Sequence, residues 1–116
     1  MNIAKKVEKE WGYEIWMANN KEEDYCGKIL HIDKGRSTSM HFHVKKHETF
    51  YVLSGVLCLH IMNTQTTEAF PKYINPGETF ELCRAIPHKL QAFDDAVDIV
   101  EISTFHEDSD SYRVAK

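Results

Sequence analysis

The sequence contains few cysteines and no segment rich in proline, glycine or serine. Cys26, Cys58 and Cys83 form no C-x-x-C pair, and an odd number of cysteines cannot close into a complete set of disulfides. We therefore expect three free thiols and a reducing, cytoplasmic location. The apolar neighbours of Cys58 and Cys83 predict that both are small buried side chains without chemistry of their own.

Long apolar runs and an excess of positive charge are also missing. Nowhere do about 18 consecutive apolar residues occur, and the first ten residues alternate lysine and glutamate with no apolar segment. The protein is therefore expected to be neither exported nor membrane-spanning. The formal net charge is -4, so no electrostatic field favours a nucleic-acid partner.

Internal repeats and linkers are absent from the 116 residues, which predicts one domain spanning residues 1–116. Short runs rich in β-branched and aromatic residues recur about every 8–12 residues with turn residues between them, which is typical of an all-β sandwich or barrel. Helix is expected only at the two ends, at Ile3–Glu10 and in the polar tail after Phe105. The predicted strands are Tyr13–Met17, Lys28–Ile32, Thr49–Leu53, Val56–Met62, Thr79–Leu82, Lys89–Phe93 and Val97–Thr104.

Four residues form a candidate metal site. His41 and His43 are two positions apart, so in an extended segment both side chains project from the same face. Glu48 shares a strand face with Phe50 and Val52, which would direct its carboxylate inward and leave Tyr51 facing outward. With His88 the set offers three nitrogen donors and one oxygen donor, which suits Fe(II), Mn(II), Ni(II), Co(II) or Zn(II) better than Ca(II). Two coordination positions would remain for a chelating substrate.

The same residues carry a family resemblance. The pattern Gly35-x5-His41-x-His43-x4-Glu48-x6-Gly55 resembles the first conserved motif of the cupin superfamily, and His88 resembles the metal-binding histidine of its second motif. This resemblance implies a cupin barrel, a double-stranded β-helix of the jelly-roll type. It also implies one divalent transition metal ion, Zn, Mn, Fe, Ni or Co, bound by the four candidate ligands.

Within the superfamily the chain is most similar to the small sugar-phosphate cupins, in particular the carboxy-terminal domain of type II mannose-6-phosphate isomerase. The similarity is carried by five segments: Glu8–Trp16, Ser39–His43, Glu48–Gly55, Val100–Thr104 and the acidic ending Glu107–Arg113. It implies an aldose–ketose isomerase that acts on a small sugar or sugar phosphate. Such a reaction needs a Lewis acid, which a metal supplies, and a base that moves a proton between neighbouring carbons.

Several residues are candidates for the base and for phosphate binding. Glu101 has the strongest claim to be the base because it interrupts the apolar run Val97–Ile102, where an unpaired carboxylate would be costly; an outward-facing or salt-bridged Glu101 is the alternative. The remaining histidines are expected to be surface or hydrogen-bonded polar residues: His31, His47, His60 and His106. The other candidate bases are Tyr51, Lys45, Lys46 and His60. The candidates for binding a phosphate are Arg36, Arg84 and Lys46, with Lys45 and Arg113.

Two other functions and one assembly state remain open from the sequence. The same ligand set serves Fe(II)-dependent oxygenases and small metal-dependent lyases, and it also occurs in non-catalytic sugar-binding modules, so the fold alone does not choose. We expect a homodimer that pairs through an exposed edge strand at Trp11–Met17, because open sheet edges and clustered aromatics favour association. The alternative is that these aromatics close the barrel's own open end.

Overall fold

The computed structural model describes residues 1–115 of the chain. Within this range the protein has eleven strands, one 3-10 turn at Asp108–Asp110 and no α-helix. None of the described segments is a helix long and apolar enough to cross a bilayer. The strands are β1 (Lys5–Lys9), β2 (Gly12–Asn20), β3 (Tyr25–Ile32), β4 (Met40–Phe42), β5 (Glu48–Ser54), β6 (Leu57–Met62), β7 (Ala69–Ile74), β8 (Thr79–Leu82), β9 (His88–Gln91), β10 (Val97–Ser103) and β11 (Tyr112–Ala115).

The strands form two antiparallel sheets that face each other. One has six strands in the order β1-β2-β3-β10-β5-β8, and the other has five in the order β11-β4-β9-β6-β7. Strands adjacent in a sheet are often distant in sequence, as in a jelly roll. The all-β cupin barrel predicted from the sequence is confirmed.

The inner face of the six-stranded sheet changes character along its strands. On β10, Ile99 pairs with Leu30 of β3, whereas two residues further on Glu101 pairs with Lys28. All four side chains are buried, because alternate residues of a strand point to the same face. One end of the barrel is therefore filled by an apolar core, and the other end is lined by buried charges.

Gly55 makes the turn from β5 to β6 in a conformation that requires glycine. Its φ is +74°, and a Cβ at this position would lie 2.3 Å from the carbonyl oxygen of Ala96. Both the left-handed backbone and the close approach exclude a side chain. This turn fixes the length of β5 and thereby the position of Glu48 at its other end.

The prediction of helix at both ends is wrong. Residues of the predicted amino-terminal helix form β1, which pairs with β2, and the tail forms β11, which pairs with β4 after the short 3-10 turn. Their alternating polar sequences have no apolar stripe with which a helix could pack. Pairing with an open strand edge satisfies the backbone instead, so tertiary context overrides local propensity.

The predicted edge strand and one predicted buried cysteine are also wrong. The Trp11–Met17 segment is not an edge. Most of it belongs to β2, which pairs with β1 on one side and with β3 on the other. Trp11 packs against the core, as the alternative expectation held. Cys83 is exposed just after β8, whereas Cys26 and Cys58 are buried. All three are free thiols, as expected.

Candidate metal centre

His41, His43 and His88 meet at the polar end of the barrel. His41 of β4 lies directly opposite His88 of β9 in the strand register. Each ring offers one nitrogen such that all three nitrogens lie within 4.8 Å of one another. The two-residue spacing of His41 and His43 thus brings them together as the sequence predicts, and strand pairing adds the third imidazole.

Backbone carbonyls fix the tautomer of all three rings. Nδ1 of His41 lies 2.7 Å from the carbonyl oxygen of Ser39, and Nδ1 of His43 lies 2.7 Å from that of Asp110. Nδ1 of His88 lies 2.9 Å from the carbonyl oxygen of Ile86. Because a carbonyl can only accept, each Nδ1 carries the proton and donates it. The Nε2 lone pairs remain available to a metal, and a ring held in this way is the arrangement found in metal-binding histidines.

Burial keeps these imidazoles neutral. It lowers the pKa of His41, that of His43 to about 4 and that of His88 to about 3. The nearby Lys46 ammonium lowers the pKa of His43 further, and His41 does the same for His88. Neutral imidazole is the form that binds metal.

Glu48, the candidate oxygen donor, lies beside two of these histidines. Its Oε2 lies 3.6 Å from Nε2 of His43 and 3.8 Å from Nε2 of His88. It is buried on the same face as Phe50 and Val52 while Tyr51 is exposed, so the parity argument is confirmed. Burial and the neighbouring Glu101 carboxylate raise the pKa of Glu48 to about 8. A divalent cation beside it would favour the charged form.

Asp110, which sequence reasoning missed, holds the loop between His43 and Glu48. Its carboxylate accepts the backbone N–H groups of Val44, Lys45 and Lys46 at 2.9 to 3.2 Å, and its carbonyl orients His43. Burial opposes the charged form, but the three N–H donors outweigh it and lower the pKa of Asp110. Local sequence offers no signal for this role, because it depends on how the tail returns to the barrel.

Next to the histidines lies a buried ion pair between Lys46 and Glu101. Nζ of Lys46 lies 2.8 Å from Oε2 of Glu101 but 3.9 Å from Oε1 of Glu48. Burial opposes the ammonium form, but the two carboxylates raise the pKa of Lys46. Burial also opposes the charge on Glu101, but Lys46 and then Lys28 outweigh it and lower its pKa to about 2. Of the two carboxylates, Glu101 is therefore the ionised partner of Lys46.

His106 continues the polar cluster toward solvent. Lys46 Nζ lies 3.2 Å from its Nδ1, and its Nε2 lies 2.8 Å from Oδ1 of Asp108, which is exposed. Because the ammonium can only donate, Nδ1 is the acceptor and Nε2 carries the proton, opposite to the tautomer of His41, His43 and His88. The sequence predicts that His106 is a surface or hydrogen-bonded polar residue. The structure shows it hydrogen-bonded and half-buried, in the wall of the cavity.

These groups line one cavity of about 870 Å³. Its size is in the range of small-molecule sites. Trp11, Lys28 and Arg113 also line it, and Lys28 Nζ lies 4.2 Å from the centroid of the Trp16 ring. Of the residues predicted for catalysis or substrate binding, the structure brings Glu101 and Lys46 to this cavity, together with Arg113.

The other predicted residues lie elsewhere. Tyr51 is exposed on the outer face of β5, where strand parity directs it away from the barrel. Lys45 extends into solvent toward Glu107. Arg84 is exposed, and its Nε donates to the carbonyl of Lys45 at 2.6 Å. Arg36 is exposed in the turn after β3, and His60 faces Gln91. None of these side chains lines the cavity formed by residues 1–115.

Comparison with known structures agrees with this architecture. The chain superposes on capsular polysaccharide assembling protein CapF from Staphylococcus aureus with a TM-score of 0.84, 15% identity, and coverage of 97% of this chain and 34% of that one. Oxalate decarboxylase from Bacillus subtilis gives a TM-score of 0.82 at 14% identity, with coverage of 96% of this chain and 30% of that one. The formate complex of the Lactobacillus farciminis enzyme gives a TM-score of 0.80 at 20% identity, with coverage of 96% of this chain and 34% of that one. At such identities the likeness establishes the fold alone, and the chain spans about a third of each of these proteins.

Family comparison gives the remaining evidence. No curated protein matches the sequence significantly. Residues 27–114, which include every histidine of the candidate centre, match the family model described as Cupin. With the barrel topology and the converging histidines already described, the chain belongs to the cupin family.

Proposed function

We propose that this cupin is a metal-dependent isomerase of small sugars or sugar phosphates. One observation carries the proposal: a set of three imidazoles and a carboxylate shares a single cavity with a buried proton donor and acceptor, Lys46 and Glu101. Aldose–ketose interconversion needs both parts, since a carbonyl must be polarised and a proton must move between adjacent carbons.

The residues present fit a divalent transition metal. The Nε2 atoms of the three histidines are unprotonated, and those of His43 and His88 lie within 4 Å of the Glu48 carboxylate. His41, His43, Glu48 and His88 would therefore hold the ion. When bound, the ion would supply Lewis-acid polarisation of a substrate carbonyl.

The protein's own groups would carry the proton. Lys46 keeps its protons at Nζ and can donate a hydrogen bond to a substrate oxygen. A substrate oxygen that takes this hydrogen bond weakens the ion pair that depresses the pKa of Glu101, and Glu101 then becomes a better proton acceptor. His106 holds Lys46 from the other side at 3.2 Å and keeps its Nζ in the cavity.

Arg113 is the best placed residue for an anionic part of the substrate. It lies opposite His41 in the pairing of β11 with β4 and lines the cavity at an exposed position. No carboxylate among residues 1–115 pairs with its guanidinium within 4 Å, in contrast to Lys28 and Lys46. A planar guanidinium can bind a phosphate or carboxylate bidentately.

The test follows the transferred proton. Metal-depleted protein is reloaded separately with Mn2+, Zn2+ and Co2+ and incubated in D2O with aldose and ketose 6-phosphates and the corresponding free sugars. Isomerisation predicts loss of the C2–H signal of an aldose, or of one C1–H signal of a ketose, by NMR together with formation of the partner sugar. Glu101→Gln should abolish both, and Arg113→Met should mainly raise KM for the phosphorylated sugars. If no substrate exchanges or isomerises with any metal, the proposal is wrong.

A second candidate function is lyase chemistry on a small carboxylate. Two of the similar structures are oxalate decarboxylases, one of them in complex with formate, and Arg113 would bind a carboxylate as well as a phosphate. Release of CO2 from small dicarboxylates would support this candidate. Oxygen uptake with Fe(II) would instead support an oxygenase, and tight sugar binding without turnover would support a non-catalytic module.

We also propose that the protein is a homodimer, through a different surface from the one first expected. The outer face of the six-stranded sheet exposes several large apolar side chains, among them Met17, Tyr51, Leu53 and Ile102. Apolar patches of this kind favour association, and two-fold symmetry is the commonest closed arrangement.

A further inference from the structure

A second group of metal-ligating side chains lies outside the cavity. Glu48 of β5 pairs with Leu82 of β8, and both point inward. The residues that flank this pair are His47, just before β5, Glu81 on β8 and Cys83, just after β8. They therefore point to the outer side of the sheet. β8 is the edge strand there, so the group is open to solvent.

The ligand atoms of these three residues converge. One atom from each lies within 4.8 Å of the other two, and His47 Nε2 lies 2.7 Å from Oε2 of Glu81. Despite this short distance, Nε2 is shielded from solvent and receives no hydrogen bond with favourable angles. The nitrogen and the carboxylate oxygen are thus side by side rather than aimed at each other, which is how two ligands of one ion are arranged.

The backbone of His47 is fixed before any ion binds. Its N–H donates to Oγ1 of Thr104 at 3.0 Å, and its carbonyl accepts the N–H of Thr104 at 3.1 Å. Glu81 and Cys83 are exposed and can rotate to close the remaining distance. A fixed imidazole with two adjustable partners lowers the entropic cost of forming a site.

We propose that His47, Glu81 and Cys83 form a second metal site, specific for Zn2+ or a similar thiophilic ion and separate from the cavity. One nitrogen, one thiolate sulfur and one carboxylate oxygen are ligands that Zn2+ prefers, and they leave a fourth tetrahedral position for water. The donor sets of the two sites differ, because the cavity offers only nitrogen and oxygen. An ion at the outer site would connect the edge strand β8 to the residue next to Glu48.

Co2+ is a suitable probe because a thiolate ligand gives it a near-ultraviolet charge-transfer band that nitrogen and oxygen ligands do not. Metal-depleted full-length protein should bind two equivalents of Co2+, and one of them should produce the sulfur band. Cys83→Ser should lose the band and one equivalent, whereas the matched control Cys58→Ala, which removes a buried thiol, should keep both. His47→Gln should weaken only the equivalent that carries the band.

A variant with both His41→Ala and His88→Ala separates this proposal from the cavity site. It should lose the equivalent without the band and keep the other. The proposal is overturned if the wild-type protein shows no sulfur band, or if the band persists in Cys83→Ser. Because Cys83 is exposed, circular dichroism of Cys83→Ser should match that of the wild type, which removes misfolding as an explanation.

Discussion

Lys46 and Glu101 form an ion pair that is almost wholly withdrawn from solvent: Nζ and Oε2 are 2.8 Å apart, and each residue is 3% exposed. The two residues come from a loop and a strand 55 positions apart in the chain. Burying two charges is favourable only when the pair is close and each is further hydrogen-bonded. Both side chains line the cavity that the three histidines share.

Breaking this pair should be more costly than removing it. Lys46→Met leaves Glu101 buried without its partner and should lower the free energy of unfolding by about 3–5 kcal/mol. The double variant Lys46→Met/Glu101→Leu should recover most of that loss, because no unpaired charge remains. Urea unfolding of the two single variants and the double variant measures the coupling. Additive losses would contradict a direct interaction.

Loss of either facing histidine should empty the cavity site. His41→Ala and His88→Ala should abolish stoichiometric Mn2+ binding, since Mn2+ favours the nitrogen and oxygen donors of the cavity. Glu48→Gln should weaken binding less, because its amide still offers a neutral oxygen. His60→Ala, a histidine outside the cavity, is the control and should bind one equivalent. Electron paramagnetic resonance of free Mn2+ gives the stoichiometry, and full occupancy in either alanine variant would exclude the site.

Asp110 should matter far more than its neighbour Asp108. Asp110→Asn replaces a carboxylate that accepts three N–H groups with an amide that brings donors of its own, so at least one buried N–H loses its acceptor. The expected cost is about 1–3 kcal/mol of stability, together with weaker metal binding as the His43–Glu48 loop loosens. Asp108→Asn changes an exposed carboxylate and should leave both properties close to wild type. Thermal unfolding and Mn2+ titration of the pair test this difference.

The metal-free protein should lose stability in acid through its cavity histidines. The pKa of His88 is lowered to about 3 and that of His43 to about 4, below the ordinary value of about 6.5. Between the ordinary pKa and these lowered values, the two histidines bind protons in the unfolded chain but not in the folded chain. The free energy of unfolding therefore falls as pH falls from about 6.5 toward 4. Glu48, with its pKa raised to about 8, acts in the opposite direction above about pH 4.5.

Comparison with a variant isolates the histidine contribution. With a chelator present to keep the protein metal-free, the free energy of unfolding of His88→Gln should depend less steeply on pH between about 6.5 and 4 than that of the wild type. Parallel curves from pH 6.5 to 4 would show that His88 titrates alike in the folded and unfolded chains, contrary to the expected burial effect.

The dimer prediction concerns the outer face of the six-stranded sheet. Light scattering during size exclusion should give twice the chain mass of 13.5 kDa. Ile102→Glu places a charge in the centre of the exposed apolar face and should produce a monomer, whereas Val114→Glu, on β11 of the other sheet, should not. A wild-type monomer at micromolar concentration would contradict the prediction.

The sequence predicted those parts of the site that follow from short spacing. His41 and His43 share a strand face because they are two residues apart, and the burial of Phe50 and Val52 orients Glu48 by parity. Both arguments need only the two-residue period of a strand. The spacing of the motif therefore predicts most of the residues that converge in the candidate metal centre.

The parts that could not be predicted depend on which distant strands become neighbours. His106 lines the cavity and Asp110 holds the loop before Glu48 because the tail returns alongside β4, and Lys28 faces Glu101 because β3 pairs with β10. Short-range patterns do not specify such pairings. For the same reason the strand pattern did not distinguish Arg84, which lies outside the cavity, from Arg113, which lines it.

The dependence of His43 on Asp110 also sets an order of events during synthesis. The four candidate ligands have all been translated once His88 is made, but the carbonyl that orients His43 and the carboxylate that holds its loop come 22 residues later in the chain. A ribosome-bound chain that ends before Asp110 therefore carries every ligand without the group that fixes their geometry. The four candidate ligands can therefore take up their final geometry only after the tail has left the ribosome and β11 has paired with β4.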